Sequence, residues 1–266
     1  MNPLNPSPST PVGGDRAVPV VRVSDTQWQA VEDGVVAGTG DASLRPDGRL
    51  FVSIDAWHRA AFDRIAEAVL ADLPAPLHTL VDENDHEEAA AWARLGFTTE
   101  RREWGHLVPT DPRTTGAVPC PEGVTIVPAG SAEEGPLREL DRIVRAEVES
   151  TVGWRRMPAE VLPRPTGDTV VDPSKYAVAQ EGDRYVGLVR VVPFLRQPRI
   201  GLIAVRADRQ RHGIARALLG HALGALHASG RTTAWAEVDE SNTAATALLA
   251  GFGARRTCST LELVRR

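Results

Sequence analysis

The pentapeptide Val81-Asp82-Glu83-Asn84-Asp85 returns 157 positions later as Val238-Asp239-Glu240-Ser241-Asn242. The same offset, kept without a gap, matches Ala90 with Ala247, Ala93 with Ala250 and Gly96 with Gly253. Each copy follows an apolar strand-like run and leads into an alanine-rich helical segment. Each then reaches a glycine and a basic, strand-like tail, at 98–108 and 255–264. Agreement in the order of elements points to a duplicated unit, and 266 residues suffice for two modest domains. The sequence therefore predicts an α/β protein of two tandem domains, 18–112 and 122–266. The Pro- and Thr-containing stretch 113–121 is the expected linker. Residues 1–17, rich in Pro, Ser and Gly, read as a disordered lead-in that lacks the apolar centre of a signal peptide.

The two copies differ upstream of the repeat. In the second, residues 200–219 read IGLIAVRADRQRHGIARALL. An apolar, β-prone run to Val205 meets a cationic loop, and Gly213 opens a segment with helical periodicity. The first turn of a helix leaves backbone N–H groups without partners, and their dipoles favour an anion. Glycine lets a bulky ligand approach the backbone, and Arg209, Arg211, His212 and Arg216 add positive charge around it. The loop has neither the G-K-[ST] ending of a phosphate-binding P-loop nor the three glycines of the dinucleotide fingerprint. An ordinary strand-to-helix turn with exposed arginines is the alternative. The corresponding stretch of the first copy, RLFVSIDAWH over 49–58, has no glycine. It passes into a predicted helix over 56–70, with Asp55 expected to cap it and Ala60, Phe62, Ile65, Ala68 and Val69 at helical spacing. An acidic residue there repels phosphate, so the first domain is expected to lack a cofactor site.

Gln210-Arg211-His212-Gly213-Ile214-Ala215 fits the pattern Q/R-x-x-G-x-G/A. In this strand–loop–helix setting it resembles the pyrophosphate loop of the GNAT superfamily of acyl-CoA-dependent N-acyltransferases. The resemblance implies tandem domains, each a mixed, mostly antiparallel V-shaped sheet flanked by helices, the first of them degenerate. It implies acetyl-CoA as co-substrate, no metal, and a cofactor site of Ile203, Ala204, Val205, Gln210, Arg211, His212, Gly213, Ile214, Ala215, Arg216 and Asn242. Asn242 matches the family asparagine beside the pantetheine arm; a helix N-cap is its other reading. The backbone N–H at Val205 is the implied oxyanion donor.

The proton-transfer groups are less well matched. The position of the family's tyrosine acid is Leu249, and that of its central-strand glutamate is Gly201. Glu237 is the nearest remaining carboxylate and the candidate base, with a salt-bridged strand residue as its alternative. Tyr176 and Tyr185 fall on a predicted hairpin, away from the family position. Glu139, Asp141, Glu147, Glu149 and Trp154 could receive a cationic amine. They could equally be the polar face of a helix balanced by Arg138, Arg142, Arg145, Arg155 and Arg156. His58, His78, His86, His106, His221 and His227 show no metal-ligand pairing, and Trp28, Trp57, Trp92, Trp104 and Trp235 are expected in cores.

A net charge of −5 argues against a nucleic-acid surface. No apolar stretch approaches a membrane span, and the 2 cysteines have no metal-site spacing, which suits a cytoplasmic protein. The expected function is transfer of an acetyl group from acetyl-CoA to a primary amine of a small molecule or peptide by direct attack, in a monomer or homodimer. A non-catalytic acyl-CoA-binding or interaction protein is the alternative.

Overall fold

The computed structural model describes residues 18–116, 118–151, 153, 171–193 and 197–266. The lead-in at 1–17 lies outside them. By compactness the described residues form two units: 18–43 with Phe51–Ala75, and Leu44–Leu50 with the described residues from Pro76 to Arg266.

The first unit holds strands β1 (Val20–Ser24), β2 (Gln27–Glu32), β3 (Val35–Leu44) and β4 (Leu50–Ala56), in that order, and helix α1 (Arg59–Asp72). Ala61, Phe62, Ile65, Ala66 and Val69 are its buried face. The apolar period is therefore as expected, but Ala61 and Ala66 point inward in place of Ala60 and Ala68. The helix also begins three residues later than the sequence predicts. The Trp57 N–H still donates to Ala37 O (3.0 Å), which prolongs the ladder. His58, not Asp55, is the cap: its Nδ1 accepts from Ala61 N at 3.3 Å. Trp57, expected in a core, is 75 % exposed, while Trp28 is buried.

The second unit contains β5 (Leu77–Asp82), α2 (His86–Arg94), β6 (Thr98–Pro109), α3 (Pro112–Thr115), β7 (Val124–Val127) and α4 (Glu134–Glu149). The hairpin β8 (Tyr176–Glu181) and β9 (Arg184–Val192) follows. Then come β10 (Arg199–Val205), α5 (Ile214–Ala228), β11 (Thr233–Asp239), α6 (Thr243–Ala250) and β12 (Arg255–Arg265). Its sheet runs β5-β12-β6-β11-β10-β9-β8-β7. Period-two alternation builds two apolar layers. Tyr176 and Val178 join Leu137, Leu140 and Val144 of α4, with Leu188 and Leu202. Ala177 and Ala179 face the other way, toward Ile214, Leu218, Leu219 and Leu223 of α5, with Leu249 and Phe252.

The repeat is visible bond by bond. Asp85 Oδ1 accepts from Glu88 N at 2.9 Å, and Asn242 Oδ1 from Ala245 N at 3.0 Å. Gly96 and Gly253 both have positive φ, +87° and +73°. Their amides donate to Ala93 O and Ala250 O, both at 3.0 Å. What the repeat does not announce is an exchange of strands. β6 does not pair with β5 but lies between β11 and β12, and β12 lies between β5 and β6. The registers Asp239↔Glu103 and Val238↔Trp104 reappear at the repeat offset as Asp82↔Thr260 and Val81↔Leu261. In the β6–β12 pair the ladder is centred on Glu103↔Thr260 and slips once on each side, at Thr257 and at Glu100. Those two irregularities are themselves one repeat apart, so a pseudo-twofold axis passes through Glu103 and Thr260. This exchange is why compactness cuts the chain elsewhere than the sequence halves: β5 and β6 belong to the first half and pack with the second. The stretch read as a linker carries α3, capped by Asp111 Oδ1 accepting from Arg113 N at 2.9 Å.

Candidate active site

Strands β10 and β11 are parallel and pair at only two positions, Arg199↔Trp235 and Ile200↔Ala236. Beyond them β10 stays with β9 as far as Val205↔Gly187, and β11 stays with β6 as far as Asp239↔Glu103. The sheet therefore opens between 201–205 and 237–239. The cause is a register slip at Gly201, between Ile200 and Leu202. A bulge adds twist and turns the following side chains over. Ile200 faces the α5 layer, yet Leu202 faces α4 and Ile203 faces α5 again. Gly201, where the resemblance would place a glutamate, is the bulge itself. A lone glycine inside an apolar strand was the available signal.

The Arg206 amide donates to Val186 O at 2.9 Å. By antiparallel alternation the Ile203 and Val205 amides then turn away from β9, toward the opening, while Ala204 faces α4. Val205 O accepts from Gln210 Nε2 at 3.1 Å, which folds the loop back onto the strand end. Gly213 caps α5 at φ +82°, a left-handed conformation suited to glycine, and no side chain caps the helix. The amides of Ile214, Ala215 and Arg216 thus lie in a first turn that supplies them no helical acceptor. The cationic rim is thinner than the sequence suggests. Arg209 pairs with Glu181 at 2.7 Å, and Arg206 with Asp208 at 3.1 Å. His212 Nδ1 contacts Gln210 O at 2.8 Å, and the Arg216 guanidinium lies 5.2 Å from the Phe252 ring centre. Arg211, exposed and at φ +69°, pairs with no carboxylate among the described residues. Backbone dipoles, more than side-chain charge, are what this turn offers an anion.

On the α4-facing side of the sheet, charged groups cross five strands. Arg199 of β10 pairs with Glu237 of β11. On β6, Arg101 holds Glu103 at 2.9 Å and reaches Glu262 of β12 at 2.7 Å. Glu262 also meets His78 of β5 (3.2 Å) and Arg49 (2.5 Å). Side-chain exposure falls from 28 % at Glu237 to 11 % at Glu103 and 1 % at Glu262. Glu237, beside the opening, is the least buried of these three carboxylates. Burial pushes the Glu103 carboxyl up despite Arg101. Burial also acts to raise Glu262, but the His78 contact and the Arg101 and Arg49 guanidiniums outweigh it and hold that carboxyl low. His78, Glu100 and Glu262 converge closely enough to suggest a metal, a pairing the sequence spacing hid. Two guanidiniums already occupy the Glu262 oxygens, so the cluster reads as an ion-pair network.

Residues 141–254 match the model of the Acetyltransferase (GNAT) family. This part of the chain is a GNAT domain. A GCN5-related N-acetyltransferase from Sphaerobacter thermophilus superposes with a TM-score of 0.66 at 18% identity, covering 92% of this chain and 82% of its own. A tandem GNAT protein from the clavulanic acid biosynthesis pathway gives 0.64 at 16%, covering 95% and 84%. A GCN5-related N-acetyltransferase from Kribbella flavida gives 0.58 at 14%, covering 94% and 90%. At such identities the likeness is one of fold. No curated protein matches the chain in sequence.

Within the GNAT domain the remaining expected residues separate. Asn242 spends its Oδ1 on the α6 cap, which leaves its NH₂ group for a ligand. Leu249 is buried in the α5 layer, so the usual acid position is part of the core. Tyr176 is buried and its hydroxyl is pushed up by burial. The Tyr185 hydroxyl accepts from Glu133 N at 3.0 Å. On α4, Glu134–Arg138 and Glu139–Arg142 are exposed pairs, the polar-face reading. Asp141–Arg145 is instead buried, and Glu147 accepts from Ala207 N at 2.9 Å, bracing the loop that precedes α5. Trp154, Arg155, Arg156 and Met157 lie outside the described residues. No helix among the described residues is long and apolar enough to cross a membrane.

Proposed function

We propose that the chain is an N-acetyltransferase that moves the acetyl group of acetyl-CoA to a primary amine of a small molecule or peptide by direct attack. The observation that carries this reading is the opening between β10 and β11, with the Ile203 and Val205 amides turned into it and the first turn of α5 at its end. The diphosphate lies on the amides around Gln210–Ala215, and the pantetheine arm follows 203–205 past Asn242. The acceptor nitrogen attacks the thioester carbonyl carbon; its proton passes to Glu237, directly or through water. The carbonyl oxygen, now an oxyanion, takes the Val205 N–H. The C–N bond forms, the C–S bond breaks, and the thiolate leaves without a side-chain acid, since Leu249 has none to give. One co-substrate binds per chain, because the β4–α1 connection of the first unit has no such cradle.

The buried Leu249 and the bulged Gly201 also favour a second reading, an acyl-CoA-binding protein without turnover. Free-thiol release from acetyl-CoA across a broad amine panel decides between them. Turnover on at least one amine supports the transferase. Saturable binding with no thiol release on any amine supports the binder.

A further inference from the structure

Gly105 belongs to β6, the strand that the first half of the chain lends to the GNAT domain, and it stands opposite Glu237 of β11. A Cβ added there would come within 2.6 Å of Cys258 Sγ, and closer still to the six-membered ring of Trp235. The edge of the indole thus occupies the space that a side chain at position 105 would take. In that position its Nε1–H donates to Glu237 Oε1 at 3.3 Å, while Arg199 holds Oε2. Each carboxylate oxygen has one fixed donor, and both donors share the face of the sheet beside the opening. The indole can lie there only because position 105 lacks a side chain.

We propose that Gly105 is a positioning residue for acyl transfer, supplied across the strand exchange: it seats Trp235, which with Arg199 fixes the Glu237 carboxylate at the mouth of the β10–β11 opening. This inference rests on Glu237 as proton acceptor, and it gives the first half of the chain a part in the chemistry of the second. Donors that hold a base in its productive geometry act on turnover, not on co-substrate affinity.

Steady-state kinetics on the full chain tests it, with Gly105→Ala, Trp235→Phe, the pair together, and Glu237→Gln. Losing a hydrogen bond to a charged group predicts a fall in kcat of about tenfold for Gly105→Ala and for Trp235→Phe. KM for acetyl-CoA should stay unchanged. The double variant should be no slower than the slower single, because both act through one ring. Gly105→Ala with Cys258→Ala should remain slow, since relieving the sulfur contact does not return the indole. Should Gly105→Ala fail to fold, Trp235→Phe and Glu237→Gln still carry the test. Wild-type kcat in Trp235→Phe, multiplicative losses in the double variant, or full rescue by Cys258→Ala would overturn the proposal while leaving Glu237 in place. Wild-type kcat in Glu237→Gln would instead remove the base on which it rests.

Discussion

At the scale of single residues, the candidate site depends on what backbone groups do once side chains step aside. Gly201 bends β10, Gly213 turns the chain into α5, and Gly105 makes room for an indole. The pattern Gln210–Ala215 was legible in the sequence because loop, glycine and helix start are local. Asn242 was legible in the same way, and it took the cap that its residue type allows. The contacts of Arg209 and Arg216 were not legible, because their partners Glu181 and Phe252 are distant in sequence. Glu237 was visible only as a carboxylate on a strand; Trp235 reaches it from two residues away on the same strand, but Arg199 does so only through the β10–β11 register. Its removal is the sharpest residue-level test of the chemistry. Glu237→Gln should lower kcat by about 10²–10⁴, the usual worth of a general base. Equilibrium binding of acetyl-CoA should be unaltered when measured by calorimetry.

At the scale of elements, the helices and hairpins follow from periodicity and turn chemistry. α6, Thr243–Ala250, is the alanine-rich segment read as helical after the second repeat, and the hairpin turns at Gly182. α1 starts late because a ladder bond to Trp57 competes with the first helical turn. The ion-pair network around Glu262 joins β5, β6, β12 and the 44–50 loop, and it belongs to this scale because no single element explains it. Its carboxylate sits below its ordinary range in the folded chain. It therefore contributes stability above that range and loses it as pH falls through the folded value. Glu262→Gln should lower stability near neutral pH by about 3–5 kcal/mol, the loss expected when one partner of a buried pair is removed. The variant's melting temperature should fall less steeply than the wild type's on acidification. Parallel slopes for the two proteins between neutral and acid pH would show that Glu262 is not the group responsible.

At the scale of the whole molecule, the duplication was readable and the exchange was not. Both copies of the final strand are basic, of similar length and follow the same cap and glycine, so β6 could pair with β5 or β11 by every local rule. Only the registers tell them apart. A chain whose halves trade strands should not divide at its linker. The fragment 118–266 alone should give no cooperative thermal transition as a monomer, and co-expression with 1–117 should restore a soluble, cooperatively melting complex. A monomeric fragment that melts cooperatively would mean that β12 closes on β11 unaided. The claim beneath all of this is that one acyl-CoA binds per chain through the first turn of α5. Ala215→Asp isolates it, because an acidic residue in a first helical turn favours the helix while repelling a diphosphate. Calorimetric titration of acetyl-CoA should give one site per wild-type chain, and a dissociation constant at least about tenfold weaker in Ala215→Asp with an unchanged melting temperature. Equal affinity in the two proteins, or two sites per chain, would contradict it.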